Sequence, residues 1–364
     1  MTGRHIDAVD TRHLARALEL AERGRPTAAP NPVVGSVIVR DGRVLGEGWH
    51  VRPGGDHAEV AALRAAGDAA GATAYVSLEP CCHHGRTPPC ADALIAAGVA
   101  RVVVATLDPS AKVNGRGIER LRAAGIDVNL AEGELEHAAR RQNQPFRALH
   151  LLGRPLVTGK AAVSLDGATA DAADRSQWIS SPESRALVHR WRQESAAVGV
   201  GIGTALADDP MLTARDVDPP AERQPLRVVF DRRARLPLTS ALVTTATDVP
   251  VVDVCEPGAE GRVGLEAAGV DVVEAAGLAD ALHKLGQRKV TSLLVEGGAG
   301  ILGALVADDL LDRLELFVAP VLLGDGRRLI DGWSAGLGDA PRATALTAEQ
   351  VGPDILLRAV FREV

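Results

Sequence analysis

His57-Ala58-Glu59, the run Ala74-Tyr75-Val76-Ser77-Leu78-Glu79-Pro80-Cys81, and Pro88-Pro89-Cys90 decide how the first half of this chain folds. The alanine-rich stretch 57–66 reads as a helix stopped by Gly67, and the apolar run 74–78 as a strand. Pro88-Pro89 opens a second helix, 90–97, which Gly98 ends. Helix, strand and helix in succession are the unit of an α/β sheet. The same stretch gathers one imidazole, one carboxylate and two thiols. His57 and Glu59 are two residues apart, so inside a regular helix they would not share a face. With His57 at the very start of its helix, both side chains can converge.

One His and two Cys fill three corners of a tetrahedral zinc site and leave the fourth for water. Zinc lowers the pKa of such a water to about 7, and two thiolates cancel the formal charge of the metal. Glu59 is then free to move protons. H-x-E followed by P-C-x-x-C is the signature of zinc deaminases that act on nucleobases. Here the cysteine loop is expanded: eight residues, Cys82 to Pro89, separate Cys81 from Cys90. On spacing alone Cys82, His83 and His84 are rival ligands. Cys81 is preferred because it directly follows Pro80 at the end of the strand run. Cys90 is preferred because a helix N-terminus favours a thiolate. The competing reading is a surface histidine beside inert core thiols. Clustering argues against it, since three of the four cysteines are Cys81, Cys82 and Cys90.

The chain has 364 residues and 46% hydrophobic content, enough for two cores. Its net charge is -7, its basic residues are scattered and aromatics make up only 2%. That composition argues against a nucleic-acid groove and favours a small substrate. Residues 1–10 hold no apolar signal region, and no run of about 18 apolar residues occurs. The expectation is a cytoplasmic homo-oligomer with no nucleic-acid and no membrane partner. A Cys/His cluster in that setting reads as metal binding and not as disulfides. Cys255 stands alone and reads as a packed or free thiol.

Periodicity predicts a helix over 11–24, a hairpin of strands 33–39 and 44–49 about Asp41-Gly42, a strand at 101–106, a helix at 117–124, a strand at 126–130 and a helix over 135–149. Gly153-Arg154-Pro155 reads as a hinge, dividing the chain into domains 1–150 and 151–364. Beyond it, strands are predicted at 156–163, 197–202, 227–231, 251–254, 270–273 and 292–295. Helices are predicted near 182–194, 278–285 and 300–307, with late strands at 314–322 and 355–360. The first half reads as an α/β sheet covered by helices on both faces, and the second as a new α/β pattern.

Two glycine clusters compete as phosphate cradles. Gly199-Val200-Gly201-Ile202-Gly203 lacks the third glycine of a dinucleotide fingerprint and reads better as close strand packing. Leu293-Leu294-Val295-Glu296-Gly297-Gly298-Ala299-Gly300 is better placed. It runs from a strand through a glycine turn into a helix, whose first N–H groups suit an anion.

His57-Ala58-Glu59-Val60, Leu78-Glu79-Pro80-Cys81 and His84-Gly85-Arg86-Thr87-Pro88-Pro89-Cys90 resemble the bacterial bifunctional riboflavin-biosynthesis deaminase–reductases. Ser164-Leu165-Asp166-Gly167, Ser176-Gln177-Trp178-Ile179 and Ala207-Asp208-Asp209-Pro210 resemble the reductase half of that family. The resemblance covers nearly the whole chain. It implies a cytidine-deaminase-like α/β/α sandwich followed by a dihydrofolate-reductase-like α/β domain. It also implies two reactions on a phosphorylated pyrimidine. The first is deamination of 2,5-diamino-6-ribosylamino-4(3H)-pyrimidinone 5′-phosphate, and the second is reduction of the ribosyl chain to ribityl by NADPH.

Carried over by position, His57, Cys81 and Cys90 match ligands of Zn²⁺ and Glu59 the catalytic proton shuttle. Ala162, Trp178, Thr204, Asp208 and the segment Gly298, Ala299, Gly300, Ile301, Leu302, Gly303 and Ala304 match NADPH contacts. Ser176, Arg192, Leu212, Arg215 and Glu296 match substrate contacts, and Lys160 a polar position near hydride transfer. Three positions depart from the family pattern: Cys82 stands where relatives often have Ser, Ser110 where they often have Asn, and Asp174 where they often have Gly. Two other classes remain open from the residues: a cytidine or tRNA-base deaminase, which leaves the second half unexplained, and an inactive binding protein, against which the intact motif argues.

Overall fold

The computed structural model describes residues 6–83 and 88–364, so His84, Gly85, Arg86 and Thr87 of the resemblance motif lie outside the described residues. The chain divides into two compact units, Met1–Leu152 with Val364, and Gly153–Glu363.

In the first unit, α1 (Ala8–Glu22) starts at Asp7. The Asp7 carboxylate accepts from the N–H groups of Val9 and Asp10, and the Asp10 carboxylate accepts from the Asp7 N–H. This reciprocal cap satisfies donors that a helix start leaves free. Strands β1 (Gly35–Arg40) and β2 (Arg43–Trp49) form the expected hairpin. Asp41 and Gly42 take positive φ, 52° and 74°, as a tight two-residue turn requires. There follow α2 (Ala58–Ala66), β3 (Thr73–Val76), α3 (Cys90–Ala96), β4 (Arg101–Val104), α4 (Arg116–Ala123), β5 (Asp127–Leu130), α5 (Glu134–Gln142) and α6 (Gln144–Leu152).

The strand order is β2-β1-β3-β4-β5, parallel from β3 to β5. On one face Ala62, Leu94 and Leu121 of α2, α3 and α4 pack on Ile38, Val76 and Val102. On the other, Leu14, Leu20 and Ala139 of α1 and α5 pack on Val37, Tyr75 and Val103. The expected α/β/α sandwich is what forms. Helix α2 lies so close to β2 that a Cβ on Gly48 would stand 2.5 Å from the Ala58 carbonyl oxygen. Glycine in that strand is therefore what brings the start of α2 to the sheet. The helix predicted over 135–149 is instead two, interrupted at Asn143. Its side chain accepts from the Val33 N–H and donates to the Val33 carbonyl, each at 2.9 Å. A short amide that bonds distant backbone competes with continuing the helix.

The second unit contains β6 (Leu156–Ser164), β7 (Ala168–Ala170), α7 (Pro182–Glu194), β8 (Ala197–Gly201), α8 (Ile202–Asp208), β9 (Leu226–Phe230), α9 (Ala241–Thr244), β10 (Val251–Cys255), α10 (Arg262–Ala267), β11 (Asp271–Glu274), α11 (Leu278–Gln287), β12 (Ser292–Val295), α12 (Ala299–Ala307), β13 (Arg313–Ala319), β14 (Arg327–Arg328), β15 (Ala345–Val351) and β16 (Asp354–Val360). Nine strands form one sheet, ordered β11-β10-β9-β8-β12-β6-β13-β16-β15. It is parallel as far as β13, and β16 and β15 close it antiparallel.

Leu282, Leu285 and Leu305 of α11 and α12 cover one face, against Val228, Val252 and Leu293. Ala205, Leu242 and Leu265 of α8 to α10 cover the other, against Val198, Val229 and Leu294. The predicted strand 197–202 stops at Gly201 because Ile202 already opens α8. The predicted strand 314–322 ends at Ala319. Strand β15 escapes the sequence because its side chains are almost all exposed and carry no alternation. Among the described residues, no helix is long and apolar enough to cross a membrane.

Candidate functional site

His57 is the N-cap of α2, with extended backbone (φ -73°, ψ 159°). That lets its ring and the Glu59 side chain turn toward the same place despite their spacing. Cys81 follows β3, and Cys90 opens α3, where the Cys90 N–H donates to Cys81 Sγ at 3.3 Å. His57 Nδ1 lies 3.1 Å from Cys90 Sγ and 3.6 Å from Cys81 Sγ. The ligand atoms of His57, Cys81 and Cys90 all lie within 4.8 Å of one another. Among the described residues this is the one His/Cys/Asp/Glu group able to hold a metal ion. Of the rivals, Cys82 instead directs its thiol to the Lys112 carbonyl at 3.8 Å, and His84 lies outside the described residues.

One imidazole and two thiols at this separation fit a tetrahedral zinc site. The two thiols share one proton between them. Hydrogen bonding from Cys90 pulls Cys81 down to about 4, with burial opposing and His57 assisting. Cys90 is pushed up by the same bond to Cys81 and by burial. The pair thus retains one proton that a bound cation would displace. Hydrogen bonding to Cys81 raises His57, against burial. Glu59 is only 3% exposed, and burial followed by the Cys81 charge pushes it up to about 7. A carboxyl poised there can take and return a proton near neutral pH.

Three surrounding groups complete the site: His50 and Asp108, to which the sequence reading gave no role, and Glu79 of the opening motif. His50 is buried, with Nδ1 2.9 Å from the Asp56 carbonyl and Nε2 3.0 Å from Asn31 Nδ2, and its ring stands 5.3 Å edge-on from that of His57. Burial lowers its pKa, which keeps it neutral. Asp108 is buried and raised to about 6, by burial first, with Glu79 and Cys81 adding to the rise and the Ser110 N–H opposing it. Glu79 anchors the loop behind it. One oxygen accepts from Gly115 N (2.9 Å) and Asp108 N (3.3 Å), the other from Gly117 N (2.9 Å) and Ile118 N (3.3 Å).

In the second unit the two glycine clusters are neighbours, not competitors. Strands β8 and β12 are parallel partners, and the Glu296 N–H donates to the Gly199 carbonyl at 2.8 Å. The Gly298 N–H donates to Thr204 Oγ1 at 3.2 Å, and a Cβ on Gly201 would touch Ile301 at 3.4 Å. Both turns lie at the C-terminal ends of parallel strands, where ligands of open α/β sheets bind. Nothing stands within 4 Å of a Cβ built on Gly300. By contrast Leu302 is buried, and a Cβ on Gly303 would strike the Asp331 carbonyl at 1.9 Å, so that part of α12 faces protein.

Arg192 and Glu296 form a two-pronged ion pair at 2.6 and 2.8 Å, and Arg192 also donates to the Thr213 carbonyl. Burial works to raise Glu296, but Arg192, with help from Lys160, holds it below the usual range. Lys160, on β6, is lowered by burial, with Glu296 opposing. Leu212 is buried and Arg215 exposed, its N–H donating to His189 Nδ1 at 3.2 Å. Ser176 and Trp178 lie on an exposed loop, and Gln177 between them donates to Asp208 at 3.4 Å. Ala162 packs beside Phe317 and Leu356.

Residues 155–357 match the family model of the RibD C-terminal domain, and residues 8–106 that of the cytidine and deoxycytidylate deaminase zinc-binding region. The chain is 40% identical to riboflavin biosynthesis protein RibD of Aquifex aeolicus over 97% of this chain and 98% of that one. It is 43% identical to RibD of Escherichia coli over 96% and 99%. Among solved structures, RibD of Acinetobacter baumannii superposes with a TM-score of 0.88 at 41% identity, covering 97% of this chain and 98% of that one. A diaminohydroxyphosphoribosylaminopyrimidine deaminase/5-amino-6-(5-phosphoribosylamino)uracil reductase from Thermotoga maritima does so at 0.87 and 33% identity, covering 97% and 99%. With both halves matched in order and from end to end, this chain belongs to the RibD family of riboflavin biosynthesis proteins.

Proposed function

We propose that this chain catalyses two consecutive steps of riboflavin biosynthesis. Residues 1–150 deaminate 2,5-diamino-6-ribosylamino-4(3H)-pyrimidinone 5′-phosphate hydrolytically, with zinc. Residues 151–364 then reduce the ribosyl side chain with NADPH, giving 5-amino-6-ribitylamino-uracil 5′-phosphate. The observation that carries this reading is the convergence of His57, Cys81 and Cys90 around buried Glu59, in a chain related end to end to bifunctional proteins.

In the first site His57, Cys81 and Cys90 hold the metal. Zinc supplies the Lewis acidity that makes hydroxide available near neutral pH. Glu59 would carry one proton of the attacking water to the ring nitrogen and the second to the amino group, which departs as ammonia. In the second site Ala162, Trp178, Thr204, Asp208 and the start of α12 hold NADPH, which supplies the hydride. The protein's task there is to set the nicotinamide against the sugar carbon that is reduced. Ser176, Leu212, Arg215 and Glu296 hold the substrate. Of the two arginines carried over as substrate contacts, exposed Arg215 suits the phosphate. Arg192 is committed to Glu296 and orients it. The reading includes a cytoplasmic setting and a homo-oligomer, which sedimentation velocity tests.

Zinc analysis, ammonia release from the pyrimidinone phosphate with cytidine as control, and loss of NADPH absorbance test the whole reading. Turnover of cytidine, with none of the pyrimidinone phosphate, would overturn it.

A further inference from the structure

We propose that Asp166 is a positioning residue of the reductase half, a clasp that holds a two-stranded flap carrying Ser176 and Trp178. This rests on the reading of those two residues as substrate and cofactor contacts. Asp166 sits in the turn after β6. Its Oδ1 accepts from Ser164 Oγ at 2.6 Å and from the Leu323 N–H at 3.1 Å, and its Oδ2 accepts from the Gly324 N–H at 2.7 Å. Ser164, 1% exposed, in turn accepts from the Ala168 N–H at 2.9 Å. One carboxylate thus ties the end of β6 to the loop after β13. Bonds to an ionised acceptor are stronger than neutral ones, and the Ser164 hydroxyl, then the Gly324 and Leu323 N–H groups, hold Asp166 down at about 2.

Above this clasp β7 and β14 form a ribbon separate from the nine-stranded sheet, with Ala170 opposite Arg327 and Ala168 opposite Arg328. Gly326 lets the two strands meet, for a Cβ there would stand 2.1 Å from the Ala170 carbonyl. Past β7, Asp171 gathers the N–H groups of Ala173 and Arg175, each at 2.9 Å, and Arg327 reaches Asp174 at 2.6 Å. Arg175 is followed by Ser176, then by Gln177, which bonds Asp208, and by Trp178, 69% exposed beneath the Arg185 guanidinium. A lone two-stranded ribbon is marginal in water, and exposed ion pairs such as Arg327–Asp174 add little. Beside one backbone bond, from the Leu165 N–H to the Val321 carbonyl at 2.7 Å, the side-chain anchorage at the base falls to Asp166.

The test uses the full-length, zinc-loaded protein and the variants Asp166→Ala, Asp166→Asn, Gly326→Ala and Trp178→Leu. NADPH affinity is read from its own fluorescence, alongside KM, kcat, ammonia release and Tm. Asp166→Ala and Gly326→Ala should each raise the NADPH Kd and KM by roughly tenfold, the equivalent of about one net hydrogen bond. Asp166→Asn, which keeps one acceptor oxygen, should fall between wild type and Asp166→Ala. Reductase kcat at saturating NADPH, ammonia release and Tm should stay close to wild type. Unchanged NADPH affinity in both flap variants, with a loss in Trp178→Leu, overturns the clasp and leaves the cofactor reading standing. Unchanged affinity in Trp178→Leu as well removes that reading and the clasp with it. A fall in Tm and kcat at constant KM marks Asp166 as structural only and also overturns the proposal.

Discussion

Glu59 is almost wholly buried, and the side chains that act on its carboxylate are the two thiols and His57. Glu59→Gln keeps the shape and removes the proton acceptor. Ammonia release should fall by roughly 10²–10⁴-fold, while metal analysis still finds zinc; near-normal release from zinc-loaded Glu59→Gln would remove it from the mechanism. Cys82 is adjacent to Cys81 in sequence but turns to the Lys112 carbonyl. Cys82→Ser should therefore keep its zinc and Cys81→Ser should lose it, and the reverse result would reassign the ligand. The convergence of His57, Cys81 and Cys90 beside Glu59 was legible because these residues cluster along the chain. His50 and Asp108 were not, because each is brought to the cluster by a turn of the sheet.

At the scale of elements, the turn between β12 and α12 is where a side chain should matter most. A Cβ on Gly298 meets only Thr204 Oγ1 at 3.6 Å, so the fold can accept Gly298→Val. The added branched side chain would instead occupy the open side of the turn, where a phosphate would approach. The NADPH KM should rise at least tenfold with Tm little changed; normal NADPH oxidation would exclude this turn as the cradle. Strand β10 carries a different signal. Asp253 is 0% exposed with neither oxygen hydrogen-bonded, and burial, aided by the Asp231 charge, pushes it up to about 8. Between the ordinary carboxyl value of about 4 and about 8, the folded state keeps a proton that the unfolded state has lost. Stability contributed by this group is thus complete at low pH and is lost as pH rises through that window. Asp253→Asn, which cannot ionise, should raise Tm at pH 8, with the gain shrinking toward pH 5. Equal pH profiles for the two proteins would show that Asp253 does not titrate there.

For the whole molecule, the two compact units predict separable chemistry. Glu59→Gln should leave NADPH-dependent reduction of supplied deaminated substrate within about twofold of wild type, a difference of a few tenths of a kcal/mol in the barrier. Gly298→Val should leave ammonia release equally intact. Loss of both activities in either variant would show that the sites depend on one another.

The α/β class, the sandwich of the first half and the His57, Glu59, Cys81 and Cys90 set could all be read from the chain alone. They are local: apolar period, helix stops at glycine, and ligands carried on consecutive elements. Tertiary structure alone decided the rest. It broke the 135–149 helix at Asn143 by bonding it to Val33, more than a hundred residues away. It joined two glycine turns that compete in sequence, because β8 and β12 become partners only once β12 inserts beside β6. It also paired Arg192 with Glu296, 104 residues apart. Such contacts depend on strand order and on loops closing over long separations, and no local pattern records them.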